Sequence, residues 1–298
     1  MLRLALIFIT FSLLTLKSWA GEIALVLADD STPYREFTSS LQKSLKGSNW
    51  RISYSDSELR PLGSHPVDLV ITAGTEALRK TLGKTQRTPL LATLLPENAY
   101  LSIVLDARSP PLVSAIYLDQ PARRQARLLR LLFPESQRIG ILVSDQSRQQ
   151  TSVFRQALLT QQLQLITEHV ADEQHILPAL ESLLPRTDAL LALPDPLLYS
   201  RNSIKPLLIT AYRFRRPVVA FSAAFAKAGA LAALYSTPAQ IGRQAGELIR
   251  SQGNRLPPPS GPAEYSLTIN QSVADAFGLR LPEEADLFQK LLASGTEQ

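Results

Sequence analysis

Short apolar runs recur along this chain, separated by segments long enough to form helices. The first set of runs covers residues 23–27, 50–54, 69–72, 90–94 and 114–118; the second covers 139–143, 163–168, 189–193, 217–221 and 231–235. Between them, apolar residues fall at spacings of three and four, as in Phe37, Leu41 and Leu45, or Ala126, Leu129 and Phe133. That alternation predicts parallel strands with crossover helices, in two doubly wound α/β lobes. Ligands of such sheets bind beyond the carboxyl ends of the strands. Residues 189–242 state the pattern most clearly, and they place Asp195 and Ser222 just past two strand ends.

Punctuation residues support the division. Asp119-Gln120-Pro121 supplies a cap and a first-turn proline for the next helix, which Phe133-Pro134 ends, and Thr237-Pro238 repeats the device. Residues 253–262, with three consecutive prolines, read as a connector. Beyond it, residues 265–269 alternate like a last strand, Asn270 caps a short helix to Phe277, and Gly278 stops it. The chain from Pro282 onward reads as frayed.

The N-terminus adds a compartment. Arg3 precedes an apolar run over residues 4–16, and Ser18-Trp19-Ala20 places small residues where signal peptidase reads them, so residues 1–20 are expected to be removed after Ala20. The run is shorter than the roughly 20 residues a membrane span needs. The mature chain is therefore expected to be soluble and exported. It contains no cysteine, which excludes disulfides, thiolate chemistry and a thiol-anchored lipid. Losing Arg3 and Lys17 takes the formal charge from +5 to +3, and the basic residues are scattered apart from Arg123, Arg124, Arg127 and Arg130 on one helical pattern and Arg213, Arg215 and Arg216 on another, clusters that solvated helix faces explain. Nucleic-acid binding is not expected.

Several strings resemble the type I periplasmic binding proteins, in particular the ABC transporter substrate-binding family with its tryptophan-binding members. They are LALPD (191–195), RRPVVAFSAAFAKAGALAALYS (215–236), IGRQAGELI (241–249) and INQSVADAFGLRLP (269–282), with weaker likeness in VDLVITAGTEALRKTL (67–82) and FPESQRIGILVS (133–144). The resemblance implies two lobes joined by three hinge crossings, near 118–120, near 236–238 and within 253–262. Lobe 1 would comprise 21–118 plus 237–256, and lobe 2 would comprise 119–236 plus 262–298. It further implies a periplasmic, monomeric solute-binding component without cofactor or metal, which encloses a small-molecule ligand and is read by an inner-membrane ABC permease. The chain departs from the family at 92–100, where Thr93-Leu94-Leu95-Pro96-Glu97 replaces an Asp-Pro pair, and the segment on to Pro111 reads as irregular.

Candidate ligand-binding residues follow from the strand ends. Thr72, Gly74 and Thr75 close one strand and open a helix, where free N–H groups suit a carboxylate, or where Thr75 is simply a cap. Asp195, held between Pro194 and Pro196, would meet an ammonium or hydroxyl group, or bond its own turn. Ser222 offers one hydrogen bond to a ligand or caps the following helix. Asp29, with Asp30 and Ser31, and Ser144, with Asp145, lie at further strand ends. Tyr235 and Tyr117 lie at the crossings, either stacking on a planar ligand or packing in the hinge. His65, His169 and His175 have no metal-ligand spacing, and no GxGxxG or Walker pattern is present. A small organic solute, such as an amino acid or another carboxylate, fits these positions. A ligand-sensing or accessory module of a membrane receptor or outer-membrane uptake system is the alternative. An enzyme pairing Asp195 with Glu97 is a weaker third.

Overall fold

A computed structural model describes residues 21–56, 66–84, 87–107 and 112–293. The proposed signal segment, His65 and Pro111 lie outside the described residues. The first unit runs β1 (Gly21–Leu27), α1 (Thr32–Leu45), β2 (Trp50–Asp56), β3 (Leu69–Ala73), α2 (Thr75–Thr81), β4 (Leu90–Leu95), α3 (Glu97–Leu105) and β5 (Val113–Tyr117). The second runs α4 (Ala122–Leu132), β6 (Arg138–Val143), α5 (Thr151–Leu159), β7 (Gln164–His169), α6 (Ile176–Leu183), β8 (Ala189–Leu191), α7 (Ile204–Arg213), β9 (Val218–Ala220), α8 (Ala223–Ala228) and β10 (Ala232–Tyr235). Then α9 (Pro238–Gln252) returns to the first unit, and β11 (Ser266–Ile269), α10 (Gln271–Phe277) and α11 (Glu284–Ala293) complete the second.

Two sheets result, ordered β2-β1-β3-β4-β5 and β11-β10-β9-β8-β6-β7. Every pair is parallel except β10 with β11. Residues 23–27, 69–73 and 90–95 are buried without a break, because helices cover both faces of the sheet. Apolar continuity, rather than alternation, is the signature of such strands. In each sheet the order reverses beside the first strand of the unit, which opens a crevice at the carboxyl ends.

Helix α9 is tied to the first unit by its packing on α1. A Cβ on Gly242 would come within 2.5 Å of the Phe37 carbonyl oxygen, and one on Gly246 within 2.5 Å of the Ser44 side chain. The two glycines, four residues apart on one face, let the backbones approach. Hydroxyls of α1 use that approach: Ser40 donates to the Ala239 carbonyl at 2.6 Å and Ser44 to the Arg243 carbonyl at 3.2 Å.

The chain passes between the units three times, and the passages are laced together. Gln120 Nε2 donates to Ser236 Oγ at 2.9 Å, Ser236 donates to the Glu264 carbonyl, and Arg124 donates to Gln120 Oε1 at 2.7 Å and the Pro262 carbonyl at 3.0 Å. Along the third passage, Ser260 pairs with β5 through Ser260 N–H to Ala115 O (3.0 Å) and Tyr117 N–H to Ser260 O (2.9 Å).

Two segments differ from the sequence reading. Residues 97–105 form a helix rather than an irregular stretch; Tyr100 and Ile103 are buried, and the apolar residues are spread so evenly that no clear stripe appears. The chain end is likewise helical over Glu284–Ala293, with Leu287 and Leu291 buried in the second unit's core beside α4. Among the described residues, no helix is long and apolar enough to cross a membrane.

Candidate ligand-binding cleft and hinge

A cavity of about 830 Å³ lies where the carboxyl ends of the two sheets face each other. The first unit contributes Thr75 and Arg79 of α2 and Asn98, Ala99, Ser102 and Leu105 of α3. The second contributes Gln146, Gln149 and Gln150 after β6, Asp195 and Tyr199 after β8, and Phe221 after β9. The segment that departs from the family thus supplies much of one wall. Its entry is set by a bulge: the β4–β5 register shifts between Thr93 and Leu95, and Leu94 takes a left-handed backbone (φ 53°). A γ-branched residue in that region carries strain on the order of 1 kcal/mol.

Asp195 is buried at 2% exposure, and its carboxylate is already saturated. Oδ2 accepts the hydroxyls of Ser144 and Ser147, both at 2.6 Å; Oδ1 accepts the backbone N–H groups of Leu197 (3.0 Å) and Leu198 (3.3 Å). Four donors match the roughly four lone-pair positions of a carboxylate. The group therefore braces the turn that carries Tyr199, and Ser144 stands behind it as a partner.

Tyr199 carries the unsatisfied chemistry of that turn. Its ring packs edge-on against Phe221 at 5.7 Å and lies 5.6 Å from Phe225. Its hydroxyl is buried without a protein hydrogen-bond partner. Burial, and next the Asp195 charge, push its pKa up, so it remains a donor. Across the cleft, Asn98 is oriented by Oδ1, which accepts the Ala99 N–H at 2.7 Å, and its Nδ2 is buried without a partner. Gln150 Oε1 is in the same state.

Of the remaining expected residues, one lines the cleft and the others do not. Thr75 lines the cleft. Gly74 does not; its φ of 97° and the approach of the Tyr34 hydroxyl, 2.6 Å from where a Cβ would sit, explain the glycine without a ligand. Thr72 is fully buried in β3. Asp29 is exposed and accepts the Ser31 N–H at 2.7 Å; the Ser31 side chain first, and then that N–H, lower its pKa. Ser222 caps α8 by accepting the Phe225 N–H at 3.2 Å. Tyr235 bonds Thr268 at 3.2 Å across the β10–β11 pair. Sequence reasoning missed Asn98, Gln150, Tyr199 and Phe221. The three glutamines after Ser144-Asp145 were the one visible signal, a polar cluster at a strand end.

A second cavity, of about 470 Å³, adjoins the hinge and shares Gln150 and Pro194 with the cleft. Asp119 lies in its wall. Instead of capping the helix that follows it, which has Pro121 at its N-cap, Asp119 caps α3: Oδ2 accepts the Glu97 N–H at 2.6 Å. Oδ1 is buried and without a protein partner. Burial raises its pKa from the ordinary 3.8 to about 6; the Glu97 N–H, the adjacent Gln150 side chain and its own backbone N–H oppose the rise, and the nearby Glu97 charge assists it. Tyr117, packed edge-on to Tyr100 at 5.4 Å, also lines this cavity, and burial raises its pKa.

Neither His169 nor His175 lines either cavity: His169 pairs with Asp145 at the cleft rim (3.0 Å) and His175 with Asp172 (2.7 Å). Among the described residues, no group of three His, Cys, Asp or Glu side chains is placed to hold a metal ion.

Comparison with known proteins gives three kinds of result. A family model described as ABC transporter substrate binding protein matches residues 51–286. No match is found among curated proteins. Solved structures share the fold. A ligand-free, open substrate binding protein with adhesive properties from Clostridium difficile has a TM-score of 0.69 at 16% identity, over 88% of this chain and 96% of that one. An ABC domain from Streptococcus pneumonia in complex with L-Trp has 0.61 at 19% identity, over 90% and 98%. A conserved domain protein from Vibrio cholerae has 0.62 at 17%, over 93% and 99%.

Proposed function

Because the chain belongs to the ABC transporter substrate-binding protein family, we propose that it is the exported, solute-capturing component of an ABC uptake system, working in the periplasm after cleavage behind Ala20. In this reading lobe 1 is 21–118 plus 237–256, lobe 2 is 119–236 plus 262–298, and a monomer delivers its closed form to an inner-membrane permease. One observation supports the reading: both sides of the same cleft are lined by residues that carry a buried, unpartnered polar atom, Asn98 Nδ2 on one side and Tyr199 OH on the other. Buried polar groups in native proteins find partners, and a solute that satisfies both walls binds the closed form better than the open one.

Two donors and the Arg79 guanidinium suit a solute with a carboxylate or another acceptor group. Phe221 and the Tyr199 ring offer it an apolar face. The pneumococcal relative was solved with L-Trp, and an amino acid or related carboxylate fits this wall too. Nothing in this arrangement favours catalysis by Asp195 with Glu97, since Asp195 is saturated and Glu97 lines the hinge cavity rather than the cleft.

The test is a thermal-shift screen of amino acids, carboxylates and polyols on the protein from Gly21 onward. At least one solute should raise the melting temperature, and Tyr199→Phe should weaken its binding about tenfold or more. Failure of every solute to stabilise the protein would overturn the reading.

A further inference from the structure

The hinge cavity carries chemistry that solute capture in the cleft does not use. Its walls come from both lobes: Glu97 and Tyr117 of the first, Asp119 in the first crossing, Arg123 of α4, Gln150 and Phe154 of the second lobe, and Leu193 just past β8. At about 470 Å³ it falls within the range of small-molecule sites. Two acceptors in its wall, Asp119 Oδ1 and Gln150 Oε1, are buried with no protein donor.

Charge balance gives the sign of the missing group. Asp119 and Glu97 place two carboxyls in this wall, and neither belongs to an ion pair among the described residues. Arg123 is the one basic residue of the lining and also makes no such pair. Its neighbour Arg124 is committed elsewhere, to Gln120, to the Pro262 carbonyl and to the Tyr265 ring 4.0 Å away. A buried acceptor pair with excess negative charge calls for a cationic donor, and the apolar remainder of the wall calls for a hydrocarbon body.

We propose that this cavity is a second binding site beside the solute cleft, sharing Gln150 and Pro194 with it, which takes the ammonium head of a small organic amine between Asp119 and Gln150 and lays its apolar body on Tyr117, Phe154 and Leu193. Because the site spans the crossing, an occupant favours whichever lobe angle keeps both acceptors engaged. Solute capture through Asn98 and Tyr199 does not depend on it.

Phenethylamine and its neutral isostere 2-phenylethanol are suitable probes, titrated calorimetrically into the protein from Gly21 onward at pH 7.5. The amine should bind at least about tenfold more tightly than the alcohol, and Asp119→Asn, which retains an oxygen for the Glu97 N–H, should remove that preference. On the wild type, carboxyl NMR should show the Asp119 titration moving from about 6 to below 5 when phenethylamine is added. Tyr199→Phe should leave amine binding in place. Equal affinity for the two probes, no binding of either, or a preference that survives Asp119→Asn would overturn the proposal. So would loss of amine binding on Tyr199→Phe, which would put the amine in the cleft. None of these results touches the solute screen, whose failure would sink the transport reading alone.

Discussion

Asp119 makes a quantitative prediction about stability. Its pKa is about 6 in the folded protein, above the ordinary 3.8, because burial penalises the charged form. The folded state therefore holds a proton that the unfolded state has lost between about pH 4 and pH 6. Stability contributed by this group falls as pH rises through that window, and above it the folded protein carries an ionised carboxylate whose Oδ1 has no partner. Proton linkage converts the two pKa values into a penalty of about 1 kcal/mol at pH 4.5 and about 3 kcal/mol at pH 7.5. Asp119→Asn is neutral throughout, keeps an acceptor for the Glu97 N–H, and can turn an N–H toward the unpartnered Gln150 oxygen. The variant should be more stable than wild type at pH 7.5, and the gap should shrink by about 2 kcal/mol at pH 4.5. Urea denaturation of both proteins at the two pH values measures the gap directly. A gap independent of pH, or one that widens in acid, would refute the assignment of a strained, ionised Asp119.

Three further substitutions separate structural from ligand-facing roles. Ser147→Ala removes one of the two hydroxyls on the Asp195 carboxylate and should cost about 1.5–3 kcal/mol in denaturant unfolding; a loss under about 0.5 kcal/mol would show that the carboxylate has another donor. Gly242→Ala should lower stability by about 1–3 kcal/mol even though alanine favours a helix by about 1 kcal/mol, because a Cβ there meets the Phe37 carbonyl at 2.5 Å, and equal or higher stability would contradict that packing. Tyr199→Phe should leave the unfolding midpoint unchanged or raise it by up to about 1 kcal/mol equivalent, since the lost hydroxyl has no protein partner; a clear destabilisation would mean that it does have one.

How far the sequence revealed these features depended on the range of the interaction. Strands were legible because both of their faces are buried, so runs such as 69–73 and 90–95 are apolar at nearly every position. Helix α3 was not, because the same uniform apolarity erases the period of a helix. The site was legible as a location: residues past β3, β6 and β8 do face one cleft. Its chemistry was less so. Asp195 reads as a free carboxylate until Ser144 and Ser147, 51 and 48 residues earlier, are seen to donate to it. Asp119 reads as the cap of the helix beside it, yet its oxygen serves a helix 22 residues upstream. Tertiary hydrogen bonds of this kind leave no spacing in the sequence.

The distribution of unpartnered atoms connects fold to function. Of the six buried side-chain polar atoms without a partner among the described residues, Asn98 Nδ2, Asp119 Oδ1, Gln150 Oε1 and Tyr199 OH belong to residues lining the cleft or the hinge cavity, and Thr151 Oγ1 follows Gln150 directly. Only Thr72 Oγ1 sits within a sheet. Each such group costs the folded state about 1–3 kcal/mol until something pairs with it. The Asp195 cluster and the Gln120–Ser236–Glu264 lacing are, by contrast, satisfied within the protein. Unmet polar capacity is thus concentrated at the surfaces that a guest would bridge. In the proposed reading, ligand affinity would draw on relief of that cost as well as on new contacts at these four residues.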